Sequence, residues 1–203
     1  MNIAIIGYGN VGKVLAEGWR KAGHTIIIGA RNPEDEKYQS AKELGMEVST
    51  IQQAVDQSEV ILVSIPASAV PDFARSLSGV KNKVFIDATN SVFLRDKQFK
   101  TGADAIKENA DAEHVVKGFN TTGFENMENP TYHGEGIDMF TAGDSAKGKE
   151  VVNRLSQDLG FEKCYDFGGD NKFELIEQFA STWINLAIMQ GEGRDIAFKV
   201  LKR

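Results

Sequence analysis

The 203-residue sequence predicts an α/β fold: a Rossmann-type, doubly wound and mostly parallel sheet with a short C-terminal helix and strand extension. Predicted strands alternate along the chain with predicted amphipathic helices, and the strands are apolar at successive positions. This pattern indicates a parallel sheet with helices packed on both faces. A glycine-rich segment at residues 7–12 separates the first strand from the first helix. Hydrophobic residues make up 41% and charged residues 26%, so disordered and collagen-like classes are excluded.

Strands and helices alternate through the first half of the chain. Gly23 and Gly45 follow two of the predicted helices, and Pro33 opens the second of these. The predicted strands are residues 3–6, 25–28, 47–49, 60–65 and 83–88, and the predicted helices are residues 11–22, 33–44, 51–56 and 68–77.

Beyond Asn90 the pattern is looser. We expect helices at 103–110 and 146–159 and strands at 115–119, 139–142 and 163–166. Residues 173–189 form a helix with two apolar faces, which predicts either a homodimer through this helix or full burial within the monomer. Residues 196–200 alternate as a half-buried edge strand does.

Charge and cysteine content narrow the function classes. The chain has 23 Lys+Arg against 29 Asp+Glu, a net charge of −6, which argues against nucleic-acid binding. No apolar run approaches the roughly 20 residues that cross a bilayer, so no membrane partner is expected. The single Cys164 excludes an internal disulfide, and no Cys/His cluster has zinc spacing. We therefore expect a cytoplasmic protein without a metal site.

Residues 7–12 follow the first predicted strand and precede the first predicted helix. In this context the GxGxxG pattern predicts a dinucleotide site. The first glycine makes the turn, the second lets the pyrophosphate approach the backbone, and the third allows close packing of helix on strand. An ordinary strand-to-helix turn is the alternative. The residues of the predicted pyrophosphate loop are Gly7, Tyr8, Gly9, Asn10, Val11 and Gly12.

The second predicted strand ends without an acidic residue. An NAD site usually has Asp or Glu there to accept hydrogen bonds from the ribose. Here Arg31 and Asn32 follow the strand, and a guanidinium binds a 2′-phosphate through paired hydrogen bonds. We predict NADP(H), with Arg31 as the main determinant and Lys37 as a weaker one; a solvated surface arginine is the alternative. The acidic residues 34–36 would moderate the preference.

Two further strand ends are candidates, because ligands of such sheets bind outside the carboxyl ends of the strands. Ser64, Ile65 and Pro66 suit a wall for the nicotinamide ribose and ring. Thr89 and Asn90 can hydrogen-bond the ribose or carboxamide, with ordinary turn chemistry as the alternative.

Five segments together resemble a known family. They are Ile-Ile-Gly-Tyr-Gly-Asn-Val-Gly (5–12), Gly-Ala-Arg-Asn-Pro-Glu (29–34), Asp-Ala-Thr-Asn (87–90), Val-Val-Lys-Gly-Phe-Asn-Thr (115–121) and Phe-Thr-Ala-Gly-Asp (140–144). In this order they are similar to the NADP-dependent coenzyme F₄₂₀ (deazaflavin) oxidoreductases, over residues 1 to about 169. The same segments also resemble the NADPH-binding domain of ferric reductases.

The resemblance implies a single NADP(H)-binding domain over 1–203, with a nucleotide-binding core at 1–118 and a C-terminal portion at 119–203 that lines the acceptor pocket. It implies hydride exchange with a flavin or coenzyme F₄₂₀ as co-substrate, and it places Asn120 and Thr121 near the acceptor. The family often has a hydroxyl residue before the arginine, whereas this chain has Ala30, so one hydrogen bond to the 2′-phosphate is missing.

No catalytic side chain is identified from the sequence. Of the three histidines, His133 lies on a glycine-bearing loop and is the candidate for substrate contact, His24 is expected at the surface, and His114 is expected in a packing or capping role. Hydride transfer between stacked rings depends on positioning and needs no dedicated acid or base. We therefore predict an NADP(H)-dependent oxidoreductase acting on a small-molecule ring acceptor.

Two alternatives compete with that prediction. An NADP(H)-binding sensor or scaffold without turnover would explain the absence of an identified catalytic side chain. An imine or pyrroline-carboxylate reductase would share the glycine loop, but those enzymes carry a long helical C-terminal domain, and too few residues follow Asp166 to form it.

Overall fold

A computed structural model of the protein describes residues 1–91 and 98–203. The alternation predicted for the first half is present throughout. Its elements are β1 Asn2–Ile6, α1 Asn10–Lys21, β2 Thr25–Ala30, α2 Gln39–Glu43, β3 Glu47–Thr50, α3 Ile51–Gln57, β4 Val60–Val63, α4 Val70–Arg75 and β5 Val84–Asp87.

The second half adds further helices, three strands that extend the main sheet and two short strands that form a separate hairpin. They are α5 Gly102–Asn109, β6 His114–Gly118, α6 Phe124–Glu128, β7 Thr131–Tyr132, β8 Glu135–Gly136, β9 Asp138–Ala142, α7 Ala146–Leu159, β10 Lys163–Asp166 and α8 Phe173–Ile184. A π-helical turn, Asn185–Met189, continues α8. Helix α6 and the β7–β8 hairpin were not predicted, and both are short.

The main sheet has the strand order β10-β9-β6-β5-β4-β1-β2-β3. All neighbouring strands run parallel except β6 and β9, which pair antiparallel. The chain winds outward in both directions from β1, so the strand order reverses between β1 and β4. The predicted Rossmann-type, mostly parallel fold is confirmed.

The sheet separates two apolar layers. Ile3 and Ile5 face the layer that contains Trp19 of α1, whereas Ala4 and Ile6 face the opposite layer. Because both faces of β1 are buried, every one of these positions is apolar, which explains why the strand shows no alternation. Within residues 1–91 and 98–203, no helix has both the length and the apolar character needed to span a bilayer.

The predicted helix at 33–44 is wrong in its first half. The amide of Glu34 donates to the Asn32 side chain, and the amide of Lys37 donates to Asp35 Oδ1 at 3.0 Å. These local bonds turn the chain before a helix can begin, because Asn and Asp side chains compete for backbone amides. A 3₁₀ turn at Glu36–Tyr38 follows, and α2 begins only at Gln39.

The predicted edge strand at 196–200 is also wrong, since these residues adopt no regular structure. Three of their backbone contacts are with side chains. The carbonyl of Ile196 accepts from Trp183 Nε1 at 2.6 Å and from Asn126 Nδ2 at 2.7 Å, and the amide of Val200 donates to Asp138 Oδ2 at 2.7 Å. The carbonyl of Phe198 also accepts from the amide of Asp138 on β9 at 3.4 Å, but this contact does not extend into a ladder. Ala197 packs on the apolar layer that contains Trp19, and Phe198 packs on the opposite layer.

His24 is not a surface residue. Only 8% of its side chain is exposed, and Nε2 lies 2.9 Å from Asp158 Oδ2 at the end of α7. His24 directly precedes β2, and Asp158 lies 134 positions further along the chain. The sequence around His24 therefore gave no sign of this contact.

The predicted homodimer through residues 173–189 stays a prediction. Phe173 and Trp183 are buried, while Leu175, Ile188 and Met189 are exposed on the same segment. One apolar face therefore packs within the chain and the other faces solvent.

Candidate functional site

The candidate site lies at the carboxyl edge of the parallel strands. Gly7 follows β1, Arg31 follows β2, Ser64 follows β4, and Asn120 lies just beyond β6. Because β1, β2, β4, β5 and β6 are mutually parallel, the residues after each strand reach the same edge of the sheet. The reversal of strand order between β1 and β4 opens a crevice at this edge, the usual place for a ligand in such folds.

Gly7 and Gly12 are required by close packing. Gly7 has a φ of +105°, and a Cβ there would lie 2.5 Å from the carbonyl oxygen of Ser64. A Cβ on Gly12 would lie 1.9 Å from the carbonyl oxygen of Gly7. Ser64 Oγ donates to that same carbonyl at 2.8 Å, so the end of β4 holds the loop in place.

Gly9 has a different environment. It is the N-cap of α1 with an extended φ of −88°, and no side chain caps the helix there. No atom of the described residues lies within 4 Å of the position that its Cβ would take. The first amides of α1, those of Asn10 and Val11 among them, have no intrahelical acceptor. No acidic residue lies in the first turn of the helix. This open, uncapped helix end suits a phosphate group.

Tyr8, within the glycine loop, places its ring near the segment after β2. Its ring centroid is 6.2 Å from that of Tyr38. Burial raises the pKa of Tyr8 above its ordinary value, so the hydroxyl is neutral at physiological pH.

Arg31 is exposed and has no carboxylate within ion-pair distance in residues 1–91 and 98–203. Two of the three acidic residues that follow it have lysine partners: Glu34 lies 3.7 Å from Lys42 Nζ, and Asp35 lies 3.1 Å from Lys37 Nζ. These two lysines offset part of the acidic charge that was expected to moderate the site. Lys37, the weaker candidate for the 2′-phosphate, is therefore engaged with Asp35.

Arg31 lies between two adjoining cavities, of about 300 and about 260 Å³. The walls of the larger one are mostly apolar, with Ile6, Ile51, Ile65 and Phe73 among them. An apolar slot beside an unpaired guanidinium fits an aromatic base next to a phosphate. Ile65 thus lies beside Arg31, and its predicted contact with the nicotinamide stays a prediction.

At the other end of the crevice, Asn90 and Asn120 form a reciprocal pair. Asn90 Nδ2 donates to the Asn120 carbonyl at 2.9 Å, and Asn120 Nδ2 donates to Asn90 Oδ1 at 3.0 Å. Asn120 Oδ1 is buried and has no hydrogen-bond partner among the described residues. Phe119, directly before it, adopts a φ of 60°, an uncommon conformation for a bulky residue.

The remaining predicted residues have varied surroundings. The hydroxyl of Thr89 is buried beside Gly102, and that of Thr121 lies 3.9 Å from Met139 Sδ. Pro66 begins a 3₁₀ turn after β4. His133 is exposed at the turn of the β7–β8 hairpin with a φ of 51°.

Sequence reasoning assigned no role to a buried ionic cluster behind this end of the crevice. Lys117 on β6 has no exposed side-chain surface, and its Nζ lies 2.7 Å from Asp87 Oδ2 and 2.8 Å from Glu177 Oε1 of α8. The third ammonium hydrogen is donated to the Thr89 carbonyl at 2.9 Å. A lysine within an apolar strand and a glutamate on the apolar face of a helix were the two signals in the sequence.

The cluster shifts the protonation of its members. Burial alone would lower the pKa of Lys117, but the nearby Asp87 and Glu177 outweigh it, and the pKa lies above its ordinary value. Burial raises the pKa of Glu177, and the attraction of Lys117 opposes that shift. Lys117 is therefore a charged, fully paired cation inside the protein.

Residues 2–91 match a family described as NADP oxidoreductase, coenzyme F420-dependent. The family resemblance drawn from the motifs is confirmed over these residues. A 73-residue segment is also 36% identical to the ketol-acid reductoisomerase (NADP(+)) of Pyrococcus abyssi. That match covers 36% of this chain and only 22% of that enzyme.

Two solved structures share the fold. A proposed F420-dependent NADP-reductase from Arthrobacter sp. FB24 has 22% identity and a TM-score of 0.83, with 100% of both chains covered. A reductive aminase from Aspergillus terreus, solved with NADPH and ethyl levulinate, has 18% identity and a TM-score of 0.69. In that second comparison the match covers 94% of this chain and 62% of the aminase.

Proposed function

We propose that the protein exchanges a hydride between NADP(H) and a flat ring acceptor of the flavin or deazaflavin class. The match of residues 2–91 to the family described as NADP oxidoreductase, coenzyme F420-dependent, supports the proposal. The observation that carries the proposal is the unpaired Arg31 beside an uncapped glycine loop. A cytoplasmic location, where NADPH is available, belongs to the same proposal.

The residues present fit a phosphorylated dinucleotide. The amides of Gly9, Asn10 and Val11 would hold the pyrophosphate, because the space above Gly9 is open. Arg31 would bind the 2′-phosphate, and the apolar cavity at Ile65 would take the adenine. When bound, NADPH supplies the hydride.

The opposite end of the crevice suits a ring acceptor. Asn90 and Asn120 are amides, which can orient a ligand through hydrogen bonds but do not exchange protons at neutral pH. The buried Asn120 Oδ1 is an acceptor without a partner among the described residues, and it fits an N–H group of a bound ring. Chemistry that depends on positioning rather than on an acid or base agrees with this set of side chains.

Titration of the protein with NADPH and NADH, followed by nucleotide fluorescence, tests the first half of the proposal. We expect tighter binding of NADPH. Oxidation of NADPH, followed by its absorbance with FMN, FAD or a deazaflavin, tests the second half. The variant Arg31→Asp should weaken NADPH binding. Its matched control is Arg154→Asp, which changes an exposed arginine on α7 and should leave binding intact.

The outcomes are distinct. Failure to bind NADPH overturns the proposal. Tight NADPH binding without turnover across the ring acceptors would instead assign a sensor or scaffold role.

A further inference from the structure

The backbone of residues 89–91 is held from behind by the buried ionic cluster. The amide of Thr89 donates to Asp87 Oδ1 at 2.9 Å, and its carbonyl accepts from Lys117. The amide of Ser91 donates to Glu177 Oε2 at 2.8 Å. Three backbone groups of this segment, two on Thr89 and one on Ser91, are therefore bound by the side chains of one cluster.

Every polar atom of the cluster has a partner. The three ammonium hydrogens of Lys117 are donated to Asp87, Glu177 and the Thr89 carbonyl. Each carboxylate binds Lys117 through one oxygen and a backbone amide through the other. With side-chain exposures of 0%, 0% and 2%, the cluster has no surface on which to bind a ligand. It can act on a ligand only by fixing other residues.

Glu177 is the member that comes from outside the nucleotide-binding strands. Asp87 and Lys117 lie on the adjacent strands β5 and β6, whereas Glu177 lies on α8, sixty positions further along the chain. Helix α8 thus completes the support of residues 89–91. Asn90, in the middle of that segment, is in turn bound to Asn120.

We infer that Glu177 is a positioning residue that, through Lys117 and the Ser91 amide, fixes the 89–91 segment against which the nicotinamide half of NADP(H) binds. The inference rests on the proposed function for the identity of the ligand. It assigns to the C-terminal helix an indirect part in forming the nucleotide site, at the end opposite to Arg31.

The substitution Glu177→Gln tests this with little change of shape. A glutamine presents one acceptor and one NH₂ group, yet both of its neighbours, Lys117 Nζ and the Ser91 amide, are donors. Whichever way the amide turns, one contact becomes donor against donor. Glu174→Gln is the matched control, because Glu174 lies one turn earlier on α8, is half exposed and pairs with Lys100.

Two ligands separate the two ends of the site. NADPH spans both, whereas adenosine 2′,5′-bisphosphate occupies only the adenosine half. We expect Glu177→Gln to weaken NADPH binding by about tenfold or more, as for loss of a hydrogen bond to a charged group. Its affinity for the bisphosphate should stay within about twofold of the wild type, since the adenosine half does not contact residues 89–91. Glu174→Gln should change neither affinity.

Circular dichroism and thermal melting report whether each variant folds. Should Glu177→Gln not fold, Glu177→Asp keeps the charge but is one methylene too short to reach both donors, and the same selective loss is expected. Amide hydrogen exchange at Ser91 should quicken in either variant that folds.

Each result has a consequence. Equal loss of both ligands, or no loss, in a folded variant overturns the inference while leaving the proposed function intact. If neither variant folds, Glu177 is a structural residue and the inference is wrong. The inference is also overturned if the wild-type protein binds NADPH no more tightly than the bisphosphate. If the wild-type protein binds neither ligand, the proposed function itself is overturned.

Discussion

The two ends of the crevice use a cation in opposite ways. At the end of β2, Arg31 is exposed. The acidic residues Asp35 and Glu34 pair with Lys37 and Lys42 instead of with Arg31. At the ends of β5 and β6, Lys117 is fully buried with all three of its hydrogens donated to the protein. Both residues lie near the same edge of one sheet. Arg31 directly follows the last residue of β2, and Lys117 is the last but one residue of β6.

The difference follows from what water does for each charge. An exposed guanidinium is solvated by water, so it costs little free energy to leave it without an ion-pair partner. It is therefore available to bind a phosphate. A buried ammonium must be paired, because removal of a charge from water costs several kcal/mol. Under the proposed function, we therefore expect the Arg31 end to contact the ligand directly and the Lys117 end to hold the backbone that the ligand meets.

The largest expected effect is that of Lys117→Met. It leaves Asp87 and Glu177 buried without a cation, and loss of one partner of such a group costs about 3–5 kcal/mol of the free energy of unfolding. Urea denaturation measures it. The exposed Lys42→Met is the control and should change the free energy by less than about 0.5 kcal/mol.

The deficit of Lys117→Met should also depend on pH. Burial raises the pKa of Glu177, so its stability contribution is fully present below its unfolded pKa and is lost as pH rises through the raised folded value. Without Lys117 the shift is larger, and the deficit should shrink as the pH falls. A deficit that is constant with pH would mean that the buried carboxylates are not its cause.

Next in size is Arg31→Asp. A carboxylate there repels a 2′-phosphate and can accept from a ribose hydroxyl, so NADPH affinity should fall about 10- to 100-fold while NADH affinity is kept or improved. Fluorescence titration measures both ratios, and the free energy of unfolding should be unchanged. Undiminished NADPH affinity would remove Arg31 from its assigned role.

The glycine loop offers a matched pair within a single turn. Gly12→Ala places a Cβ 1.9 Å from the Gly7 carbonyl oxygen, and overpacking of this kind costs about 1–3 kcal/mol of stability. Gly9→Ala places its Cβ in open space with an ordinary φ, so folding should be unaffected. Its methyl group should still weaken NADPH binding about tenfold or more by blocking a phosphate. Equal melting temperatures for the two variants would contradict the packing seen at Gly12.

The smallest effect concerns Cys164, which lies outside both ends. Burial raises the pKa of this thiol to about 12. Because the folded pKa lies above the ordinary value of 9.0, the contribution of this burial to stability is fully present below about pH 9 and is lost as the pH rises from there toward about 12. At about pH 8 a thiol reagent should react far more slowly with the native protein than with the urea-unfolded protein. Similar rates would show that the thiol is accessible.

Much of the fold and the Arg31 end of the site could be predicted from local sequence. Continuous apolar runs indicated strands buried on both faces, and the spacing of Gly7, Gly9 and Gly12 indicated a phosphate loop. Arg31 was found because it follows a strand at a fixed distance from that loop. Each of these signals is contained in a segment of a few residues.

Local patterns in the sequence thus indicated a mostly parallel sheet and predicted the Arg31 end of the site. No local pattern indicated that Lys117, Asp87 and Glu177 meet, or that residues 196–200 pack without forming a strand. The two kinds of feature differ in the range over which the interactions act. Periodicity and turn chemistry act between neighbours in the chain, whereas a buried ion cluster forms only where helix and sheet bring distant charges within 3 Å of one another and exclude the water that would otherwise solvate them.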